Sequence, residues 1–271
     1  MLHKFRYANP RSRQELLALL ADNQEQAKLL AGGTDLLVNI RGGVIKPALL
    51  VDVKKVKDFQ GITWSESEGL GIGPSVTIND LLGSATIRAK FPLLAACAHD
   101  LASYQVRNRA TVIGNLVNAS PCSDMAPALL CLGARAVIAS RRAQRELPLA
   151  GFFQGVKKTV LQADELFERI VVPAASAGAR GGYHKLKRIA GHDLSIVGVA
   201  LMKKDGAIKL GISSAAPTPV FVEGLKETDP VDAIVAAARR SISPISDVRC
   251  SKEYREFMVE IFVKRLCMEV Q

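Results

Sequence analysis

The sequence predicts an α+β fold built from unlike parts, and three observations predict it. Short strand-like runs such as residues 48–53 (ALLVDV), 69–72 (GLGI) and 134–139 (ARAVIA) are mixed with apolar helical stretches such as residues 91–102 (FPLLAACAHDLA). Residues 174–182 (AASAGARGG) hold three glycines and no apolar period, which marks a linker and a domain boundary. Beyond it the chain continues with strand-like runs followed by two helical ones, at residues 231–241 and 254–268. The domains expected are 1–53, 54–175 and 176–271.

Taken in order, Phe5, Tyr7 and Ala8 read as a strand and Asn9-Pro10 as a turn. Ser12 and Glu15 have capping-box spacing, and Leu16, Leu17, Leu19 and Leu20 give the helix that follows its apolar face. Residues 31–36 (AGGTDL) describe a tight turn after the strand-like pair Leu29 and Leu30, and residues 36–40 a helical turn. A first small α/β unit closes near Val53. Residues 62–64 and 69–72 form a hairpin. GLGIGP within it lacks the last glycine of the dinucleotide fingerprint and opens no helix, so it reads as a strand with close backbone packing. Thr77 caps a helix through Leu81, with Asn79 and Asp80 suited to its N-terminus.

Residues 110–124 (ATVIGNLVNASPCSD) form a second loop, of small and polar residues whose backbone can approach a ligand. Without a Cβ, glycine lets main-chain N–H groups close on an anion, and consecutive N–H groups in a turn make a concave anion site. Two such loops, at 31–36 and 110–124, suit one extended anion such as a dinucleotide. The bland alternative for each is a loop leading into a core helix. Residues 125–132 (MAPALLCL) are a short apolar helix with Pro127 in its first turn. Residues 134–139 and 145–149 pair across a basic turn, and a strand ends at Pro173. In the last part, residues 190–202 are strand-like in their latter half, residues 207–215 pair with them, and Ala216-Pro217-Thr218-Pro219 interrupts. Phe257, Met258, Ile261, Phe262 and Leu266 fall at helical spacing and are expected in a core.

Composition bounds the function. With 271 residues, 48% of them hydrophobic and 23% charged, the chain is long enough for a well-buried core. No apolar run approaches the roughly 18 residues that span a bilayer, and residues 1–10 lack the apolar core of a signal peptide, so a cytoplasmic location is expected. Cys97, Cys122, Cys131, Cys250 and Cys267 are odd in number and without a CxxC pair, so free thiols are expected and no metal site. His3, His99, His184 and His192 are scattered. The formal charge of +10 points to nucleic acid or to acidic partner subunits. The basic residues are spread along the chain without interleaved aromatics, which favours partner subunits over nucleic acid.

Residues 30–36 (LAGGTDL), 105–124 (QVRNRATVIGNLVNASPCSD), 164–173, 185–197 (KLKRIAGHDLSIV) and 246–255 (SDVRCSKEYR) resemble, in order and at about the same distances, the flavin-binding medium subunits of molybdenum hydroxylases. That family includes the carbon monoxide, xanthine and nicotinate dehydrogenases. The resemblance spans nearly the whole chain. It implies the two-subdomain FAD-binding fold of the vanillyl-alcohol oxidase and molybdopterin dehydrogenase type, with FAD-binding subdomains at 1–53 and 54–175. A C-terminal domain of antiparallel strands and helices would follow at 176–271.

Carried over by position, Leu29, Leu30, Ala31, Gly32, Gly33, Thr34, Asp35 and Leu36 would form the first pyrophosphate loop. Thr111, Val112, Ile113, Gly114 and Asn115 would form the second. Asp124 would bind sugar or ribityl hydroxyls, Phe167 would contact the isoalloxazine ring, and Lys185 would reach the flavin's pyrimidine edge. Ile113 stands where the family usually has the first of two glycines, so its side chain must point away from the phosphates. The implied role is an oxidoreductase subunit that collects electrons in FAD and passes them to an external acceptor. The implied partners are an iron–sulfur subunit with two [2Fe-2S] clusters and a molybdopterin-containing large subunit, assembled as a dimer of heterotrimers. No metal and no catalytic side chain are expected in this chain. A stand-alone FAD oxidoreductase is the alternative, but the roughly 90 residues after Gly182 are few for its cap domain.

Overall fold

The structure, a computed structural model, describes residues 3–59 and 61–271. The first unit comprises β1 (Arg6–Ala8), α1 (Arg13–Asn23), β2 (Ala27–Leu30), α2 (Leu36–Arg41) and β3 (Leu49–Asp52). Its three strands are parallel, in the order β1-β3-β2. The capping signal at its first helix holds: Ser12 Oγ accepts the Glu15 N–H at 3.2 Å, and a Glu15 carboxylate oxygen accepts the Arg11 N–H at 2.9 Å. Leu16, Leu17 and Leu20 of α1 bury against Ala27, Leu49 and Val51 of the sheet.

The middle of the chain comprises β4 (Ile62–Ser65), β5 (Gly69–Ile72), α3 (Ile78–Gly83), α4 (Ala85–Lys90), α5 (Pro92–His99), α6 (Tyr104–Arg107), α7 (Val112–Val117), α8 (Ala126–Cys131), β6 (Arg135–Ala139), β7 (Gln144–Pro148), β8 (Phe153–Gly155), β9 (Lys158–Thr159) and β10 (Leu166–Val172). Five strands make an antiparallel sheet in the order β4-β5-β10-β6-β7, and β8 and β9 form a separate hairpin. Close backbone packing at GLGIGP is confirmed. Gly69 has φ +84°, and a Cβ there would sit 2.1 Å from the Val172 carbonyl oxygen.

The last unit comprises β11 (Arg180–Leu186), β12 (Val197–Lys204), β13 (Ala207–Ser213), β14 (Val220–Lys226), α9 (Val231–Ser241) and α10 (Lys252–Glu269). Its strands form an antiparallel meander in sequence order. β12 is apolar on both faces because both are covered. Val197, Val199 and Leu201 face the cluster built with α9 and α10, while Ala200 and Met202 join the large core of the middle unit. α8 lies so close to this sheet that a Cβ at Gly211 would meet the Pro127 carbonyl oxygen at 2.2 Å.

Three expectations need correction. Residues 174–182 are not a free tether: the Gly178 N–H donates to Lys90 O at 2.8 Å, Ser176 Oγ donates to Leu132 O at 2.8 Å, and Arg180 to Gly182 already belong to β11. Residues 110–124 are not wholly loop, since Thr111 caps the short helix α7 inside them. Phe257 is 54% exposed, because α10 turns Val259, Phe262, Val263 and Leu266 to the sheet and leaves Phe257 stacked on Tyr254 outside. The five cysteines are free, as expected.

Candidate functional site

The two glycine-bearing loops meet. Gly32 lies so close to the start of the second loop that a Cβ on it would be 2.0 Å from Arg109 O and 3.0 Å from Ala110 Cα. A side-chain link repeats the contact, with Asn118 Nδ2 donating to Asp35 Oδ1 at 3.0 Å. Asn118 is held in turn by Lys157, whose ammonium donates to Asn118 Oδ1 at 2.8 Å from the turn between β8 and β9.

The first loop leaves β2 at Leu29 and Leu30 and enters α2 at Leu36. Ala31 O accepts the Lys54 ammonium at 3.0 Å, and Lys54 also pairs with buried Asp52 at 2.7 Å, which anchors the base of the loop. Gly33 has φ +76°, the left-handed geometry that turns successive N–H groups to one side. Among the described residues, the N–H groups of Gly32, Gly33, Thr34, Asp35 and Leu36 donate to no protein acceptor. Five consecutive unspent amides ahead of a helix could hold an anion.

The second loop offers fewer donors than its composition suggests. The Val112 N–H donates to Val76 O at 3.1 Å, that of Gly114 to Thr111 Oγ1 at 3.0 Å, and that of Asn115 to Thr111 O at 3.0 Å. The Ile113 N–H has no protein acceptor among the described residues. Its side chain is 5% exposed in the main core, so isoleucine is tolerated there because it faces inward. Asn115 works through its side chain: its Oδ1 accepts Ser123 Oγ at 2.6 Å and the Met125 N–H at 3.2 Å, which fixes the turn carrying Asp124.

Asp124, in the turn between α7 and α8, and Lys185, on β11, are brought together. The Lys185 ammonium lies 2.8 Å from Asp124 Oδ1 and donates to Asp100 O at 3.0 Å, and its side chain is wholly buried. Tyr183 adds a 3.4 Å hydrogen bond to the same carboxylate oxygen. Burial pushes the Asp124 carboxyl above its ordinary pKa, and Lys185 and Tyr183 hold it back. Asp124 Oδ2 accepts no hydrogen bond among the described residues, so it remains available to a hydroxyl donor. Phe167 is 1% exposed on β10, which packs against α7, and its ring lies 5.0 Å from that of Phe152. It therefore sits within the core beneath the second loop.

The sequence singled out residues 29–36, residues 111–115 and Asp124, but it gave no role to Lys54, Lys157, Tyr183 or Asp100. Each acts across a contact far along the chain, and no local pattern announces it. His184, one of the scattered histidines, bonds Glu269 at 2.7 Å and stacks on Phe262. The described residues contain no cluster able to hold a metal and no helix long and apolar enough to cross a membrane.

Residues 3–175 match the family model described as the FAD binding domain in molybdopterin dehydrogenase. The chain is 34% identical over 275 residues to the carbon monoxide dehydrogenase medium chain of Hydrogenophaga pseudoflava, covering 97% of this chain and 95% of that one. It is 31% identical over 269 residues to the xanthine dehydrogenase FAD-binding subunit of Escherichia coli O157:H7, covering 94% and 92%. A solved structure of the Hydrogenophaga pseudoflava carbon monoxide dehydrogenase, in a form that lacks the Mo-pyranopterin moiety of its cofactor, contains a chain that superposes with a TM-score of 0.92 at 32% identity, over 100% of this chain and 98% of that one.

Proposed function

Because this chain belongs to the family of FAD-binding domains in molybdopterin dehydrogenases, we propose that it is the FAD-carrying, electron-transferring subunit of a molybdenum-containing hydroxylase or dehydrogenase. The observation that carries the reading is the contact of Gly32 with Arg109 and Ala110, which brings the two glycine-bearing bends together. A dinucleotide diphosphate is the group whose charge suits main-chain N–H donors offered by both bends. When bound, FAD accepts electrons singly and releases them in pairs to an external acceptor.

The chain's own residues bind and orient. Gly32 to Leu36 would offer main-chain N–H groups to the diphosphate, as would the Ile113 N–H, while Thr111 and Asn115 fix the second bend. Asp124 Oδ2 would accept from ribityl or sugar hydroxyls. Lys185 holds a positive charge behind that carboxylate, where it would act on the pyrimidine edge of a bound ring, and Phe167 would support the ring site from the core. The same reading divides the chain into FAD-binding subdomains 1–53 and 54–175 and a C-terminal domain 176–271, supported by the three-, five- and four-stranded sheets, which fall one in each. The partners are an iron–sulfur subunit with two [2Fe-2S] clusters and a molybdopterin-containing large subunit, in a dimer of heterotrimers. The location is cytoplasmic.

Two measurements test this. Purified chain should carry about one FAD per chain, released by acid and identified by chromatography. Affinity capture of the chain from its own cells should bring down one iron–sulfur and one molybdenum subunit. A chain that neither carries nor takes up FAD would refute the reading.

A further inference from the structure

The stretch 246–255 (SDVRCSKEYR) touches neither phosphate bend, yet it is built around buried charge. Asp247 Oδ2 accepts from Arg249 Nη2 at 2.8 Å and Nε at 3.1 Å, and Asp247 Oδ1 accepts from Arg255 Nη2 at 2.8 Å. Arg255 is 1% exposed and donates to the carbonyl oxygens of Ile196 and Ser214. Arg249 Nη1 reaches outward, 3.3 Å from Cys122 Sγ and 3.3 Å from Ser195 O.

These contacts converge on one turn. Cys122 lies two residues before Asp124. Ser214, held by Arg255 in the left-handed region at φ +63°, donates its N–H to Pro121 O at 2.7 Å. A residue other than glycine keeps that conformation only where its surroundings enforce it. Its Oγ lies 2.6 Å from Ser195 Oγ, and both serines are buried. Pro121 and Cys122 precede Asp124, while Ser195 and Ile196 follow the strand that carries Lys185. The charge cluster thus fastens together the flanks of the two segments that meet at the Asp124–Lys185 pair.

We propose that Arg249, oriented by Asp247, is a positioning residue that braces the turn at residues 121–124 and so sets the Asp124 carboxylate for FAD. The inference rests on the FAD reading above. Its physical basis is that a buried carboxylate offers a ligand a fixed acceptor only if the segment carrying it is itself fixed. Arg249 supplies this through two donors that share Asp247 Oδ2 and a third donor aimed at the turn. An ammonium in its place could not make both sets of contacts.

The test uses the full-length chain stripped of flavin and titrated with FAD. Arg249→Met should raise the FAD dissociation constant about tenfold, the loss of one charge-assisted contact. It should also change the visible circular dichroism of bound flavin, which loss of stability alone would not do. Arg249→Lys should recover only part of the affinity. Cys122→Val removes the sulfur acceptor and should weaken binding less, and it should add nothing in the Arg249→Met background. Wild-type affinity and dichroism in Arg249→Met, or additive effects of the two substitutions, would overturn the brace while leaving the FAD reading intact. If Arg249→Met fails to fold, Asp247→Asn and Cys122→Val carry the test, and undiminished affinity in both overturns it. Wild-type chain that takes up no FAD defeats the parent reading and the brace with it.

Discussion

Gly32→Ala is the most direct test of the site, because its effect follows from one geometry. The added Cβ would lie 2.0 Å from Arg109 O, 2.7 Å from Arg109 C and 3.0 Å from Ala110 Cα. All three are main-chain atoms, so no side chain can swing aside. Ordinary contact begins at 3.4 Å, so the bends must part by roughly 1.4 Å. Overpacking of this kind costs about 1–3 kcal/mol. Hydrogen bonds weaken steeply once distance and angle leave their narrow range, and each one to a charged group contributes about 1.5–3 kcal/mol. One such bond lost corresponds to a factor of about ten to a hundred in affinity. The expected result is a FAD dissociation constant raised by about two orders of magnitude, with a fall in Tm of several degrees. Flavin fluorescence during titration of the stripped protein gives the first quantity and circular dichroism melting the second. Gly83→Ala is the control, since a Cβ there meets nothing within 4 Å. Binding by Gly32→Ala within about threefold of wild type would refute the claim that the two bends must touch to hold the diphosphate.

Other substitutions probe the surrounding contacts. Asn118→Leu removes the link from Asp35 to Lys157 and should weaken FAD binding about fivefold by the same titration, with the apoprotein's melting nearly unchanged. Lys185→Met strands the buried Asp124 carboxylate and should cost about 3–5 kcal/mol in denaturant unfolding, whereas Lys185→Met with Asp124→Asn should cost less than the single change. Burial alone would raise the Asp247 carboxyl, but the Arg249 and Arg255 contacts outweigh it and hold it well below the carboxylate range. Because the folded pKa is depressed, this stabilisation is present above the unfolded value of about 4 and lost as pH falls through the folded one. Asp247→Asn should therefore flatten the loss of Tm between pH 5 and acid, and an unchanged pH profile would contradict the assignment.

Local chemistry was legible in the sequence and long-range contact was not. Ser12 with Glu15, and Thr77 with Asp80, announced their helices because a cap is a matter of three residues. The hairpin of β4 and β5 and the helix Val231–Ser241 were equally local. α7 was hidden because Gly114 and Asn115 read as breakers, yet six residues capped by Thr111 need little intrinsic propensity when Val112, Ile113 and Leu116 bury against a core. β14 was missed because Pro217 and Pro219 end just before it, where its edge position tolerates them. At the site, the bends were visible as glycines and small residues. What joins them was not: Gly32 against Arg109, Asn118 to Asp35 and Lys185 to Asp124 all span large separations in the chain.

The Asp124–Lys185 pair raises the question of why a buried salt bridge stands at the seam between the middle unit and the last sheet. Burying two charges costs several kcal/mol per ion in desolvation, and apolar residues of similar volume are often as stabilising or more so. The seam already has an apolar solution, since Ala200 and Met202 join the same core as Leu93, Leu129 and Leu130. Stability alone therefore does not account for the pair. Its geometry does: Lys185 and Tyr183 occupy Oδ1 and leave Oδ2 open, and Lys185 also grips Asp100 O at the end of α5. The lysine thus opposes the upward push of burial on the Asp124 carboxyl and aims it in one direction, at the place where the middle unit, the last sheet and the braced turn come together. Such an arrangement prepares an acceptor for a bound hydroxyl before the ligand arrives, so the cost of orienting it is met during folding rather than on binding.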